Sequence, residues 1–181
     1  RARRPPPSVD ALKAYPDGEA LDPRPDFVSA IEAYQRAIGI DSTFAMAHYQ
    51  VSKAYGWENG NGATGGHYLA AHQLADRLPA RERMLVEGYV AFIDGTVYDA
   101  IDTFNEAVRL HPEDVEAWSL LGETYYHLGS QALEDPLAQS ERTFGRALDL
   151  DPSIGPIHIH VIENAFSMND SALARQRLDA F

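Results

Sequence analysis

The sequence predicts an all-α chain, a stack of about five helix-turn-helix units. Three observations carry this. Tyr34, Tyr68, Phe104, Phe144 and Leu178 follow one another at intervals of 34, 36, 40 and 34 residues. Ala37, Ala71, Ala107 and Ala147 each lie three residues beyond the first four, so a large and a small side chain share one helix face. Pro112 and Pro152 each close a unit after Val108-Arg109-Leu110-His111 and Leu148-Asp149-Leu150-Asp151. Upstream, Gly88 and Gly122, Ala91 and Tyr125, and Gly95 and Gly129 also pair at 34 residues. A period of this length denotes a solenoid whose unit is one supersecondary element.

The physical logic is that of a repeat that cannot fold alone. Each helical hairpin has two apolar faces and buries the second only against a neighbour. Small residues such as Gly88, Gly122, Ala100, Ala107 and Ala147 allow helix backbones to approach, and aromatic residues fill the space between hairpins. A terminal Pro lacks an N–H, stops the second helix, and suits the entry to the next.

The first unit is read as 9–42. Its second helix, Phe27 to Ile40, carries the stripe Ala30, Ile31, Tyr34, Ala37 and Ile38. Its first helix is damaged by Pro16, Pro23 and Pro25, leaving a short helix near Val9 to Tyr15 with irregular backbone after it. Residues 1–8 form an Arg/Pro-rich arm. Unit two is 43–78, with a first helix from Phe44 to Trp57. The stretch from Gly56 to Gly66 then breaks the pattern, and the expectation is a long, mobile inter-helix turn. No strand precedes this Gly-rich stretch and no Lys-Ser/Thr follows it, so a phosphate cradle is not expected. Unit three, 79–112, is the most regular. Unit four, 113–152, carries about six extra residues around Ser130 to Pro136. Unit five, 153–181, stops within its second helix, and the expectation is that the protein continues, because a solenoid ending there would lack a polar cap.

The residues Trp118, Leu121-Gly122, Tyr125, Phe144, Ala147 and Pro152, and again Gly88, Gly95, Ala100, Phe104, Ala107 and Pro112, resemble the tetratricopeptide repeat (TPR) family over nearly the whole chain. The resemblance implies a right-handed superhelical solenoid with incomplete first and last units. It also implies a protein-binding groove, because first helices line the concave face of such stacks. The groove positions it marks are Tyr49, Lys53 and Trp57 in unit two and Leu85, Tyr89 and Phe92 in unit three. Ser119, Glu123 and Tyr126 follow in unit four, and Ile159 and Glu163 in unit five. Tyr and Trp dominate interface energetics, although both also pack between hairpins. TPR domains that grip a C-terminal carboxylate use Lys and Asn at such positions. Here only Lys53 matches, with Tyr89 and Glu123 at the corresponding places, so no carboxylate clamp is implied.

Segments 11–15, 40–49, 75–83 and 112–118, with the insertion after Gly129, are similar to TPR regions attached to bacterial serine/threonine protein kinases and related signalling proteins. That similarity implies a bacterial source and a sensor or docking role. The chain itself has no His-Arg-Asp and no Asp-Phe-Gly, so no kinase lies within it.

Composition narrows the function further. The 181 residues carry a net charge of −12, and Arg1, Arg3 and Arg4 contribute +3 of the positive side, so the remainder carries −15. Such a field repels phosphate backbones, and a nucleic-acid partner is not expected. A basic or apolar partner is easier to accommodate. No run approaches the roughly 20 apolar residues that span a bilayer. The opening Arg-Ala-Arg-Arg-Pro-Pro-Pro has no apolar segment behind it and no initiating Met, which suggests a processed chain or a fragment. The compartment stays open between cytoplasm and a periplasmic or extracellular setting. With no cysteine, disulfides, thiolate metal sites and cysteine nucleophiles are excluded.

No catalytic constellation is evident, and neither a cofactor nor a metal is expected. His158 and His160, two residues apart, point about 200° apart around a helix, and His67 and His72 are five apart, so neither pair suits shared ligation. The pairs Glu113-Asp114 and Glu134-Asp135, with Asp149 and Asp151, fall in turns or at helix ends, where helix electrostatics explain them. No serine sits in a Gly-x-Ser-x-Gly elbow. Asn169-Asp170-Ser171 matches a glycosylation sequon, a weak signal by itself. The expected role is a non-enzymatic scaffold or regulatory docking module, the alternative being a structural subunit built permanently into a larger assembly. The oligomeric state is not readable.

Overall fold

The structure, a computed structural model, describes residues 7–15, 26–60 and 62–180. Among them are ten α-helices: α1 (Val9–Ala14), α2 (Phe27–Ile40), α3 (Ala45–Asn59), α4 (His67–Gln73), α5 (Ala80–Ile93), α6 (Val97–Leu110), α7 (Val115–Leu128), α8 (Pro136–Leu150), α9 (Gly155–Ser167) and α10 (Ser171–Ala180). No described residue lies in a β-strand. Most of the arm and the proline-rich stretch after α1 lie outside the described residues. No described helix is long and apolar enough to cross a membrane.

The helix ends follow from local chemistry. Ser8, Asp26, Asp114 and Asp135 each accept a backbone N–H of the first turn, the last just before Pro136 opens α8. At the other end the chain turns to extended or near-extended backbone at Asp41, His111 and Asp151, whose N–H groups bond back to the carbonyls of Ala37, Ala107 and Ala147. These are the alanines of the repeat frame, so the periodic small residue also marks where each second helix stops. Beyond two of these turns, Asp41 accepts from the N–H and hydroxyl of Thr43, and Asp151 from those of Ser153.

The helices group into two compact units, Arg1–Ile93 and Asp94–Phe181. The division falls between α5 and α6, inside the stretch read as one repeat. In the first unit α1 packs on α2, α2 on α3, α3 on α4 and α4 on α5. Ala11, Ala37, Phe44 and Ala47 form one buried cluster there, and Ala30, Tyr34 and Val51 another. In the second unit α6 packs on α7, α7 on α8, α8 on α9 and α9 on α10. Its core joins Phe144, Ala147, Leu148, Ile157 and Val161. Burying a side chain the size of Phe144 or Ile157 stabilises by about 1.5–3 kcal/mol.

Within the Gly-rich stretch the turn between α3 and α4 is shorter than expected. Helix α3 continues through Gly56, Trp57 and Glu58 and ends where Gly60 takes a left-handed φ of 72°. Gly62 is buried, its carbonyl accepts the Ser52 hydroxyl, and a Cβ there would stand 2.4 Å from the Tyr89 hydroxyl and 2.8 Å from Ile93 Cδ1. The glycine is required for room between α3 and α5. Asn61 lies outside the described residues. The extra residues after Gly129 form a short 3-10 turn, Gly129–Gln131, before the capped start of α8.

In the second unit a buried polar chain fixes three helices. Ser140 Oγ on α8 donates to the Gly122 carbonyl on α7 at 3.2 Å, and Asn164 Nδ2 on α9 donates to Ser140 Oγ at 3.1 Å. Gly122 also lets Phe144 lie against α7, since a Cβ there would be 2.4 Å from Phe144 Cδ1. The relative positions of α7 and α9 therefore rest on packing and on these two buried hydrogen bonds.

Candidate functional site

The residues read as groove-lining belong to α3, α5, α7 and α9, and the structure sorts them by depth. In the first unit Tyr49, Leu85 and Tyr89 are core residues and not groove residues, with relative exposures of 0%, 0% and 4%. The rings of Tyr49 and Tyr89 meet edge to face at 5.5 Å, and the Tyr89 hydroxyl donates to the Ser52 carbonyl at 3.2 Å. The room that Gly62 leaves beside α3 and α5 lets the phenol lie inward, where its hydroxyl has an acceptor. Lys53, Trp57 and Phe92 remain partly accessible. Lys53 Nζ sits 5.2 Å from the Tyr49 ring centroid, Trp57 stacks on Phe27 at 6.4 Å, and Phe92 stacks on Tyr89 at 6.0 Å.

In the second unit Ser119 is half-buried and its hydroxyl returns to the Val115 carbonyl at 2.7 Å, a bond within its own helix. Ile159 is exposed on α9. Glu123, Tyr126 and Glu163 are brought together, although Glu123 is buried instead of lying open to a groove.

Two histidines complete this cluster. Glu123 Oε2 lies 3.2 Å from His127 Nε2, one turn further along α7, and Glu123 Oε1 lies 3.3 Å from His160 Nε2 on α9. His160 Nδ1 is 3.2 Å from Glu163 Oε2, which also accepts the Tyr126 hydroxyl at 2.8 Å. The His160 ring lies 4.5 Å from that of Tyr126 and stacks on Phe144 at 5.6 Å. Burial, with the hydrogen bond and charge of Glu163 adding to it, pushes the Tyr126 phenol up to about 12. Conversely, the Tyr126 hydroxyl, assisted by His160, holds the Glu163 carboxyl below the usual range.

His127 and His160 were not among the expected site residues. Spacing does send His158 and His160 in different directions, since His158 Nε2 bonds the Pro152 carbonyl at 2.9 Å. The expectation that no metal-ligating set exists considered histidine pairs along one helix and missed convergence between α7 and α9. One donor atom each from Glu123, His127 and His160 lie within 4.8 Å of one another, a set that could hold a metal ion. The sequence signals were the spacing of Glu123 and His127 by four and a histidine at 160, where the preceding unit has Leu120.

MamA residues 41 to the end from Desulfovibrio magneticus RS-1 align over 96% of this chain and 93% of that one, with a TM-score of 0.52 and 19% identity. YrrB, described as a TPR protein with an unusual peptide-binding site, aligns over 94% of this chain and 84% of that one, with a TM-score of 0.51 and 18% identity. The fold is of the TPR type. Another MamA structure gives a TM-score of 0.52 over 94% of the chain at 15% identity. Among curated proteins, Superkiller protein 3 of Saccharomyces cerevisiae is 26% identical over 139 residues, 71% of this chain. The chain spans about 9% of that protein's length. No protein-family model matches the chain. At these identities the likeness is one of TPR-type fold, a helical solenoid.

Proposed function

We propose that the chain is a non-catalytic docking module that binds partner-protein segments through accessible side chains of its first helices, those of α3 and α5 in one unit and those of α7 and α9 in the other. The supporting observation is the TPR-type fold shared with YrrB, a protein described by its peptide-binding site. Trp57 and Phe92 in the first unit, and Tyr126 and Ile159 in the second, supply accessible apolar surface on these helices. Lys53 and Glu163 supply charges of opposite sign. With a net charge of −12, the chain suits a segment that combines apolar anchors with Lys or Arg. A bacterial source and a regulatory setting are part of the same reading and rest on the similarity to kinase-attached TPR regions.

A peptide library graded in apolar and basic content, selected on the purified chain, tests this. The expected winners carry both kinds of residue. Trp57→Ala or Ile159→Ser should weaken them about tenfold or more, whereas Val28→Ser, at an exposed position on α2, should leave binding unchanged. Selection of nothing, or of peptides indifferent to the Trp57 and Ile159 variants, would sink the proposal.

A further inference from the structure

We propose that Glu123, His127 and His160 form a binding site for a divalent transition-metal ion of the zinc type. This stands apart from the docking reading, since it concerns a different ligand and different primary residues.

The donor set comes first. Two imidazole nitrogens and one carboxylate oxygen are a known three-ligand set for zinc, leaving a fourth position for water or an incoming group. Bond lengths of about 2.0–2.1 Å in a tetrahedral site place ligand atoms about 3.4 Å apart. The two Glu123 oxygens face one ring each, Oε2 at 3.2 Å from His127 Nε2 and Oε1 at 3.3 Å from His160 Nε2, and one donor atom from each of the three residues falls within 4.8 Å of the others. Glu123 and His127 share one face of α7 because they are four residues apart. The Gly122–Ser140–Asn164 hydrogen bonds hold α9 so that His160 meets that face.

A second observation is the state of Glu123. Its residue exposure is 8%, and its Oε1 is buried with no hydrogen bond among the described residues, His160 Nε2 standing 3.3 Å away. Burying a carboxylate oxygen in that condition is costly, and a cation between Glu123 and the two rings would offset the cost.

The third is the outer shell. Metal-bound histidines usually engage a carboxylate through the other ring nitrogen, which fixes the tautomer and the ring orientation. His160 does so with Glu163, and Tyr126 in turn holds Glu163. Phe144 and Tyr126 pack against the same ring and set its plane. His160 thus presents Nε2 to the site, with Glu163 and Tyr126 as positioning residues. The His127 side chain is 47% exposed, so an ion has a route in and the fourth position faces solvent. The bound ion would clamp α7 to α9.

Zinc titration of the chain, free of any affinity tag, is the test, followed by calorimetry and thermal melting, with cobalt absorption as a spectroscopic probe. The expected result is one ion per chain, a raised Tm, and the intense visible bands of four-coordinate cobalt. His127→Ala and Glu123→Gln should abolish or weaken binding at least tenfold, while His111→Ala should leave it intact. Glu163→Gln should keep the stoichiometry and lower the affinity about 10- to 100-fold. His127 is exposed, so its variant is expected to fold, and helical circular dichroism checks each variant. Binding weaker than about 0.1 mM in the parent chain, or binding equal in parent, His127→Ala and Glu123→Gln, would overturn the proposal in favour of a simple imidazole–carboxylate ion-pair network.

Discussion

Trp118 Nε1 donates to the carbonyl of Pro112, six residues upstream, at 2.9 Å. His158 Nε2 makes the corresponding bond to Pro152 at 2.9 Å, and His48 Nε2 reaches the Ser42 carbonyl at 3.1 Å. Three helices of the repeat thus tie their first turn to the preceding corner through a ring N–H, whichever residue supplies the ring. His158→Phe keeps a ring and removes the donor, so it should cost about 1–2 kcal/mol, because the residue is buried. Trp118→Phe, at a more exposed bond, should cost about 0.5–1 kcal/mol. Urea denaturation of both variants gives the comparison.

The glycines divide by what surrounds them. Gly122→Ala places a methyl 2.4 Å from Phe144, and overpacking of that kind costs about 1–3 kcal/mol. Gly62→Ala should be similarly destabilising, because it meets the Tyr89 hydroxyl and Ile93. Gly39→Ala, in α2 with nothing within 4 Å, should stabilise by about 0.5–1 kcal/mol through helix propensity. Thermal melting separates the signs.

Arg177 on α10 reaches Glu141 on α8 through Nε at 2.8 Å and Nη2 at 2.5 Å, and the side chains are 22% and 11% exposed. Arg177→Ala leaves a largely buried carboxylate without its cation and should destabilise by about 2–3 kcal/mol. Arg177→Lys should recover only part of this, since one ammonium cannot reproduce the guanidinium contact. A double-mutant cycle with Glu141→Gln measures the coupling.

His48 and His67 face each other Nδ1 to Nδ1 at 3.0 Å. Because His48 Nε2 donates to Ser42, its Nδ1 accepts from His67 when both rings are neutral. Burial first, and then the neighbouring His48, lower the pKa of His67 from its ordinary 6.5. Above about pH 6.5 neither state holds this proton, and the stability contribution is complete. As pH falls through 6.5 the unfolded chain takes up a proton that the folded chain resists, so stability is lost progressively down to the folded pKa. The urea midpoint should therefore fall between pH 7.5 and 5.5, and His67→Gln should flatten that dependence.

Helix α2 shows how much was legible in the sequence. Its stripe of Ala30, Ile31, Tyr34 and Ala37 and its bounds at Phe27 and Ile40 are all local features, and local features decide where a helix begins and stops. The same holds for the all-helical class, read from a large–small pair recurring along the chain. The length of α3 beyond Gly56 and the burial of Gly62 were not legible, because glycine frequency reports conformational freedom. It does not report that Tyr89 and Ile93 would crowd Gly62.

Depth was the quantity the repeat frame could not supply. A register position places Tyr49, Leu85 and Tyr89 on a first helix, but whether a side chain turns into the gap between helices depends on the room its neighbours leave. Phe92 and Trp57, on the same two helices, stayed partly accessible. The sequence by itself determined the helices, their order and the TPR-type repeat, because these follow from periodicity and capping within a few residues. Only the tertiary structure decided that Glu123 and His127 meet His160, 37 residues beyond Glu123, because that contact depends on how α8 and its buried Ser140 set α9 against α7.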